Sequence, residues 1–311
     1  MPEKSMLLKI GFACNNNCLC CSQANRKPLG EMTFEQVKAF IEKGSKKGNS
    51  ILVISGGEPT VRSDLVEICK FARKTGFGKI VLQSNGRMFS YPKLCKELAL
   101  AGVTQFMIGI HGGTKQSHDF ASQVPGAFEQ VIQGIKNLKA INSKVAVNFI
   151  LTKLNFKELP AAVGLFSSLG IDKCLISFVS CMGNAEKNVD LLLPRMSEVK
   201  PFVEDAFKEA EKTGLMLTIC SYPLCFLKGN EKHYEGIYAP TRTVCDVLGE
   251  RENFDDVNRK SLNQRGLVCS KCKYELVCRG PEKIYTKKFG WSEFKPVKGK
   301  KVKTINEVPW S

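Results

Sequence analysis

Two groups of cysteines stand close enough in this chain to act together. Cys14, Cys18 and Cys21 are spaced C-x3-C-x2-C in the segment GFACNNNCLCCSQ, with Cys20 beside the third. Cys269, Cys272 and Cys278 are spaced C-x2-C-x5-C in CSKCKYELVC. Thiolates are soft ligands, and three from one short loop can converge on a single metal centre. A zinc site normally recruits a fourth close protein ligand. Three thiolates on a four-iron cluster leave one iron open, which is a place to bind and activate a cofactor. Adjacent cysteines rarely bind one ion together, so spacing favours Cys21 over Cys20. A zinc knot at the first group and a zinc ribbon at the second are the alternatives. The chain has 14 cysteines in all. Cys69 and Cys95 fall on helical patterns and Cys174 opens a strand pattern, so these three read as small buried hydrophobes.

The elements around these groups follow from apolar periodicity. Met6 to Phe12 reads as a strand running into the first cysteine loop. Thr33-x-x-Gln36 is a capping box opening a helix with Phe34, Val37, Phe40 and Ile41 on one face. Ile51 to Ser55 is a buried strand ending in Gly56-Gly57. Further strands are expected at Lys79–Gln83, Thr104–Ile110, Lys144–Leu151 and Lys173–Val179. Helical patterns separate them around Leu65–Ala72, Tyr91–Ala101, Ala127–Ala140 and Leu159–Ser168, and another covers Met196–Thr213. Strands alternating with helices predict an α/β fold with a parallel sheet and helices outside it. In such folds function collects at the C-terminal ends of the strands. The cysteine loop, Gly56-Gly57-Glu58-Pro59, Ser84-Asn85-Gly86 and His111-Gly112-Gly113 all lie there.

The chain has 311 residues, 43% of them hydrophobic, and a net charge of +16. That is enough apolar material for a sizeable core and excludes a mainly disordered chain. No run approaches the ~18 apolar residues of a membrane helix. The N-terminus lacks the apolar region and cleavage site of a signal peptide. The expectation is a cytoplasmic protein without a membrane partner, in which clustered cysteines serve metal or catalysis rather than disulfides.

With these motifs in place, the chain resembles the radical S-adenosylmethionine (radical SAM) superfamily from roughly Leu7 to Val179. The resemblance implies a partial (β/α)6 barrel of parallel strands. It also implies that Cys14, Cys18 and Cys21 bind a 4Fe–4S cluster whose open iron takes the amino and carboxylate groups of S-adenosylmethionine (SAM). The SGGEP segment, Ser55 to Pro59, looks like the motif that meets the SAM amino group, through the backbone at Gly56 and Gly57 and through Glu58. Glycines admit a close backbone approach, and a carboxylate suits an ammonium. Ser84 and Asn85 resemble the segment contacting the SAM ribose, although SNG is also an ordinary turn sequence. Asn148, in VNFI, is assigned to the barrel interior facing the same cofactor, with a satisfied strand contact as the alternative. One departure stands out. The residue before the third ligand is often aromatic in this family and packs near the adenine, whereas here it is Cys20. Radical formation needs no catalytic acid or base, so no catalytic side chain is assigned. His111 either lines the substrate cavity or is a loop histidine bonded to backbone, and His118 and Asp119 read as structural.

The expected organisation is a radical SAM core over residues 1–215 and a C-terminal region over 216–311. The latter is similar to the cysteine-rich SPASM and twitch regions and ends in a tail with five lysines from Lys295 to Lys303. Position 282 is Glu, so the further cysteine of a complete SPASM pattern is absent. The shortened pattern implies one auxiliary iron–sulfur cluster on Cys269, Cys272 and Cys278. Cys225 is the favoured fourth ligand, with Cys245 the other choice. The expected activity is reductive cleavage of SAM to a 5′-deoxyadenosyl radical that abstracts hydrogen, with peptide or protein modification as the outcome. The alternatives are a small-molecule oxidoreductase or cofactor-biosynthetic enzyme and, further off, an RNA-modifying enzyme. An external electron donor such as ferredoxin or flavodoxin is implied. The basic surface suits an acidic substrate, but no RNA-binding motif with interleaved aromatics is present, which argues against a nucleic-acid partner.

Overall fold

Seven short apolar strands pair in parallel into one sheet: β1 (Ser5–Lys9), β2 (Ile51–Ser55), β3 (Lys79–Ser84), β4 (Gln105–Ile110), β5 (Lys144–Leu151), β6 (Lys173–Phe178) and β7 (Met216–Cys220). This is the computed structural model of the chain, and it describes residues 4–235, 243–252 and 261–308. Two more strands, β8 (Thr243–Asp246) and β9 (Gly249–Arg251), extend the sheet beyond β1, giving the order β7-β6-β5-β4-β3-β2-β1-β8-β9. Among the described strands, only β8 and β9 run antiparallel to each other. The α/β architecture and the run of parallel strands from β1 to β6 agree with the expectation. So do helices α1 (Phe34–Lys46), α2 (Leu65–Lys74), α3 (Pro92–Leu100), α5 (Ala127–Ala140), α6 (Leu159–Ser168) and α9 (Met196–Thr213). The helix α4 (Lys115–Ser122) and two four-residue turns, α7 (Asn184–Lys187) and α8 (Val189–Leu192), were not anticipated.

Side-chain alternation gives the sheet two faces. Leu52 and Ile54, Ile80 and Leu82, Phe106 and Ile108, and Val147 and Phe149 are buried in one apolar cluster with Ile41, Ile68, Leu98 and Ile135 of the helices. Burying each such side chain fully contributes about 1.5–3 kcal/mol. The residues between them, Ser55, Gln83, Met107, Gly109, Asn148, Ile150 and Ser177, line a cavity on the other face. The core strands therefore each carry an apolar row for the helices and a more polar row for the interior.

Local signals set the helix starts. Thr33 Oγ1 accepts from the Gln36 N–H at 3.2 Å, and Gln36 Oε1 accepts from the Thr33 N–H at 2.8 Å, which closes the expected capping box. Strands β7 and β8, both beyond residue 215, pair with β6 and β1 and so join the same sheet as the core. Among the described residues no helix is long and apolar enough to cross a membrane.

Candidate active site

The loop after β1 is held from several sides, which fixes where its sulfurs stand. From β2's exit, the N–H groups of Gly57 and Glu58 donate to the carbonyls of Gly11 and Ala13 at 2.9 and 2.7 Å. From α4, the carbonyls of Ser122 and Ala121 accept from the N–H groups of Asn17 and Leu19 at 3.2 and 2.8 Å. From α7, Asn184 donates its backbone N–H to the Cys21 carbonyl at 2.9 Å and its side chain to the Cys18 carbonyl at 3.0 Å. The Gly56-Gly57 pair makes the first of these contacts possible. A Cβ on Gly57 would stand 2.2 Å from the Ala13 carbonyl oxygen, and one on Gly56, whose φ is +142°, would stand 2.1 Å from that of Gly11. These glycines are thus required by backbone packing against the cysteine loop, in addition to any role toward a ligand.

Cys14, Cys18 and Cys21 line a cavity of about 390 Å³. Gly56, Gly57, Ser84, Asn85 and Asn148 are on the same wall, together with Cys20, His111 and Cys220. Every residue assigned to the first cluster and to SAM is therefore gathered there except Glu58. Burial pushes all three candidate ligand thiols up, Cys14 to about 11, with the Asn16 N–H working against it there. A cationic centre reverses that preference and holds sulfur as thiolate. Three half-buried thiols on one loop, open to one cavity, fit the donor set of an iron–sulfur cluster with a free corner. Cys20 makes a different contact, with its Sγ 3.4 Å from His111 Nδ1. For His111, burial works against the charged form, but the Cys20 sulfur outweighs it and raises the imidazole above its usual value. Of the two readings offered for His111 the structure matches the first: it lines the cavity, and its ring meets the Cys20 sulfur and not backbone, while its backbone N–H donates to His118 Nδ1 at 3.2 Å. His118 is buried and Asp119 accepts from the N–H groups of Gly126 and Phe128, as structural residues do. Asn148 Oδ1 accepts from Ser177 Oγ at 2.6 Å, so its strand contact is satisfied while it faces the cavity.

Glu58 departs from its expected place. It is 2% exposed and is not among the cavity-lining residues. Its carboxylate accepts from Asn85 N at 2.6 Å, Ser84 Oγ at 2.8 Å, Thr60 N at 3.0 Å and Thr60 Oγ1 at 2.5 Å. Burial raises its pKa, and these four donors pull the other way. The carboxylate ties the end of β3 to the turn after β2. Glu58→Gln places an amide NH2 against these donors, leaving at least one buried group unsatisfied at about 1–3 kcal/mol. The expected outcome is a lower melting temperature, read by differential scanning calorimetry, beside any change in SAM affinity. An unchanged melting temperature with SAM binding weakened would instead mark a direct contact.

The second cysteine group closes on itself through the fold. Cys225, in the turn after β7, lines one small cavity of about 20 Å³ with Cys269, Cys272 and Cys278. Burial pushes the Cys225 thiol up, with the neighbouring Cys278, Cys272 and Cys269 adding to it. Cys245 lies on β8 in the main core, 1% exposed and opposite Leu8, so it stands apart from this group. The lysine tail braces the segment carrying Cys272: Lys301 Nζ donates to the Cys272 carbonyl at 3.1 Å and pairs with Glu275 at 2.5 Å. Among the described residues no three His, Cys, Asp or Glu side chains are gathered tightly enough to hold a single metal ion.

Residues 8–165 match the sequence profile described as the Radical SAM superfamily. An AdoMet-dependent heme synthase of Methanosarcina barkeri is 32% identical over 182 residues, covering 58% of this chain and 52% of that protein. A probable GTP 3′,8-cyclase of Saccharolobus solfataricus is 28% identical over 176 residues, covering 55% of this chain and 56% of that protein. The chain thus matches about half the length of these curated relatives. The solved structure "Native anSMEcpe with bound AdoMet and Kp18Cys peptide" superposes with a TM-score of 0.67 at 16% identity, covering 94% of this chain and 96% of that one. At that identity the likeness is one of fold.

Proposed function

The chain belongs to the radical SAM superfamily, whose cofactors are a 4Fe–4S cluster and SAM, and on that premise we propose that it is an enzyme that modifies a peptide or protein. The chemistry such a cofactor pair supplies is one-electron cleavage of the sulfonium to a 5′-deoxyadenosyl radical that abstracts hydrogen from a substrate. In this reading Cys14, Cys18 and Cys21 hold the cluster. The backbone at Gly56 and Gly57 meets the SAM amino group, Ser84 and Asn85 meet its ribose, and Asn148 faces the same cofactor. Glu58 is a positioning residue that sets Ser84 and Asn85. The auxiliary cluster is held by residues beyond 215, with Cys225 completing the set of Cys269, Cys272 and Cys278, while β7 and β8 belong to the core sheet. A low-potential donor such as a ferredoxin or flavodoxin supplies the electron.

One observation carries the substrate class. Among the described residues, the cavity wall contains Ser, Asn, Gln, Cys, Met, Ile and Phe side chains and one imidazole, His111, and no Lys, Arg, Asp or Glu. Buried carboxylates and phosphates call for charge-assisted partners, most often Arg or Lys. A tetrapyrrole with ionised carboxylates or a nucleoside triphosphate finds no Arg or Lys on this wall, and its one imidazole is engaged by Cys20, whereas amide groups pair well with neutral donors and acceptors. The sequence likeness to a heme synthase favours a second reading, a cofactor-biosynthetic enzyme. Anaerobically reconstituted protein with SAM and dithionite separates the two. A peptide mixture from a cell extract should raise 5′-deoxyadenosine release and yield a peptide of altered mass. Stimulation by an iron porphyrin with free carboxylates or by GTP, with peptides inert, would overturn the proposal.

A further inference from the structure

Asn16 sits between two candidate ligands and touches both. Its side chain is buried, 5% exposed. Its backbone N–H donates to Cys14 Sγ at 3.4 Å, and its side-chain nitrogen donates to Cys18 Sγ at 3.8 Å. The other end of the amide meets Arg87, whose guanidinium donates to Asn16 Oδ1 at 2.8 Å and to the Asn15 carbonyl at 2.7 Å. A guanidinium has donors only. It therefore accepts one orientation of the Asn16 amide, oxygen toward Arg87 and NH2 toward the sulfur, and resolves an ambiguity that a free amide would keep. Arg87 is itself fixed. Its Nε donates to Gln130 Oε1 at 2.6 Å, and its backbone N–H donates to Asn85 Oδ1 at 3.1 Å. Asn85 in turn donates to Asn15 Oδ1 at 2.6 Å.

We propose that Arg87 and Asn16 form a device that aims N–H donors at the Cys14 and Cys18 sulfurs and thereby sets the reduction potential of the cluster those sulfurs hold. The proposal rests on Cys14, Cys18 and Cys21 being its ligands. Reduction adds one negative charge to the cluster and its thiolates. A donor aimed at sulfur stabilises the reduced form more than the oxidised form, so it raises the potential. Arg87 is a positioning residue here: it acts through Asn16 and, from the other side of the amide, adds a fixed positive charge to the same loop.

The test is a redox titration followed by electron paramagnetic resonance, with iron content measured on each sample. The first cluster is identified as the signal that changes on addition of SAM. Asn16→Leu removes the side-chain donor without adding charge. It should lower the ratio of reduced to oxidised cluster about tenfold at a fixed ambient potential, a shift of about 59 mV for a one-electron couple. Arg87→Met lies farther from the sulfurs and should shift the signal in the same direction by less. Arg87→Lys, which keeps a cationic donor, should stay nearer the unmodified protein. Full iron with an unshifted potential in both Asn16→Leu and Arg87→Met overturns the proposal. Iron lost equally from Asn16→Leu, Arg87→Met and Arg87→Lys marks a purely structural brace and also overturns it. Unmodified protein whose reconstituted iron gives no SAM-responsive signal overturns the ligand assignment instead.

Discussion

Changing any one of Cys14, Cys18 or Cys21 to alanine is expected to reduce 5′-deoxyadenosine formation to background, while Cys20→Ala retains it. All four sulfurs lie on the same wall of the cavity, so proximity alone does not separate them. Their partners do. Cys14 and Cys18 receive N–H donors from Asn16 and Cys21 receives those of the Gln23 and Ala24 backbone, whereas Cys20 is engaged with the His111 ring at 3.4 Å. Three ligands leave a four-iron cluster one open corner, and removing one of them leaves an iron unheld. Loss of the cluster removes the chemistry entirely, which makes this the largest effect expected. Cys20→Ala leaves the ligand set whole and frees His111, so SAM affinity is the quantity that changes there. The measurement is chromatography of 5′-deoxyadenosine after anaerobic reconstitution and reduction, with iron counted beside it. Retained cleavage in Cys21→Ala together with loss in Cys20→Ala would reverse the assignment.

The second large effect is expected at the other cysteine group. A Cys269→Ala, Cys272→Ala double variant should lose about half of the iron and sulfide, still cleave SAM, and fail to turn over its substrate. The two groups line separate cavities, so the first set does not depend on the second for its ligands. Cys225→Ala should behave like the double variant and Cys245→Ala should not, since only Cys225 faces Cys269, Cys272 and Cys278. Zinc in the unmodified protein, with iron for one cluster only, would rule the second iron–sulfur cluster out. SAM cleavage lost in every C-terminal variant that still folds would show the two sites to be coupled.

Cys245 illustrates why the choice between these two cysteines could not be made from spacing. Both lie far upstream of Cys269 in the chain. Cys225 reaches the C-terminal group because β7 adds to the edge of β6 and delivers the following turn there. Cys245 is carried to the opposite side of the sheet because β8 pairs with β1. Strand β8 was itself missed. TVCD is four residues long and buried throughout, so it shows no alternation for a periodicity argument to find. Strand β7, five residues long and interrupted by Thr218, lies directly after α9 and shows no clean alternation either.

What the sequence by itself determined was everything encoded within single elements. The apolar rows of the strands from β2 to β6, the Thr33 cap and the C-x3-C-x2-C loop are each read from neighbours a few positions apart, because a strand repeats every two residues and a helix every 3.6. Those periods also place the loops with notable residues at one end of the sheet. Tertiary structure alone decided which side chains meet across elements. It turned Glu58 into the scaffold between β2 and β3, set Cys20 against His111, and brought Arg87 to Asn16. Such meetings depend on strand register and on the path of the loops, and a buried polar group takes whichever partners the packing brings within about 3 Å. A carboxylate in a motif can be read from the chain, but the donors that satisfy it are supplied by the fold.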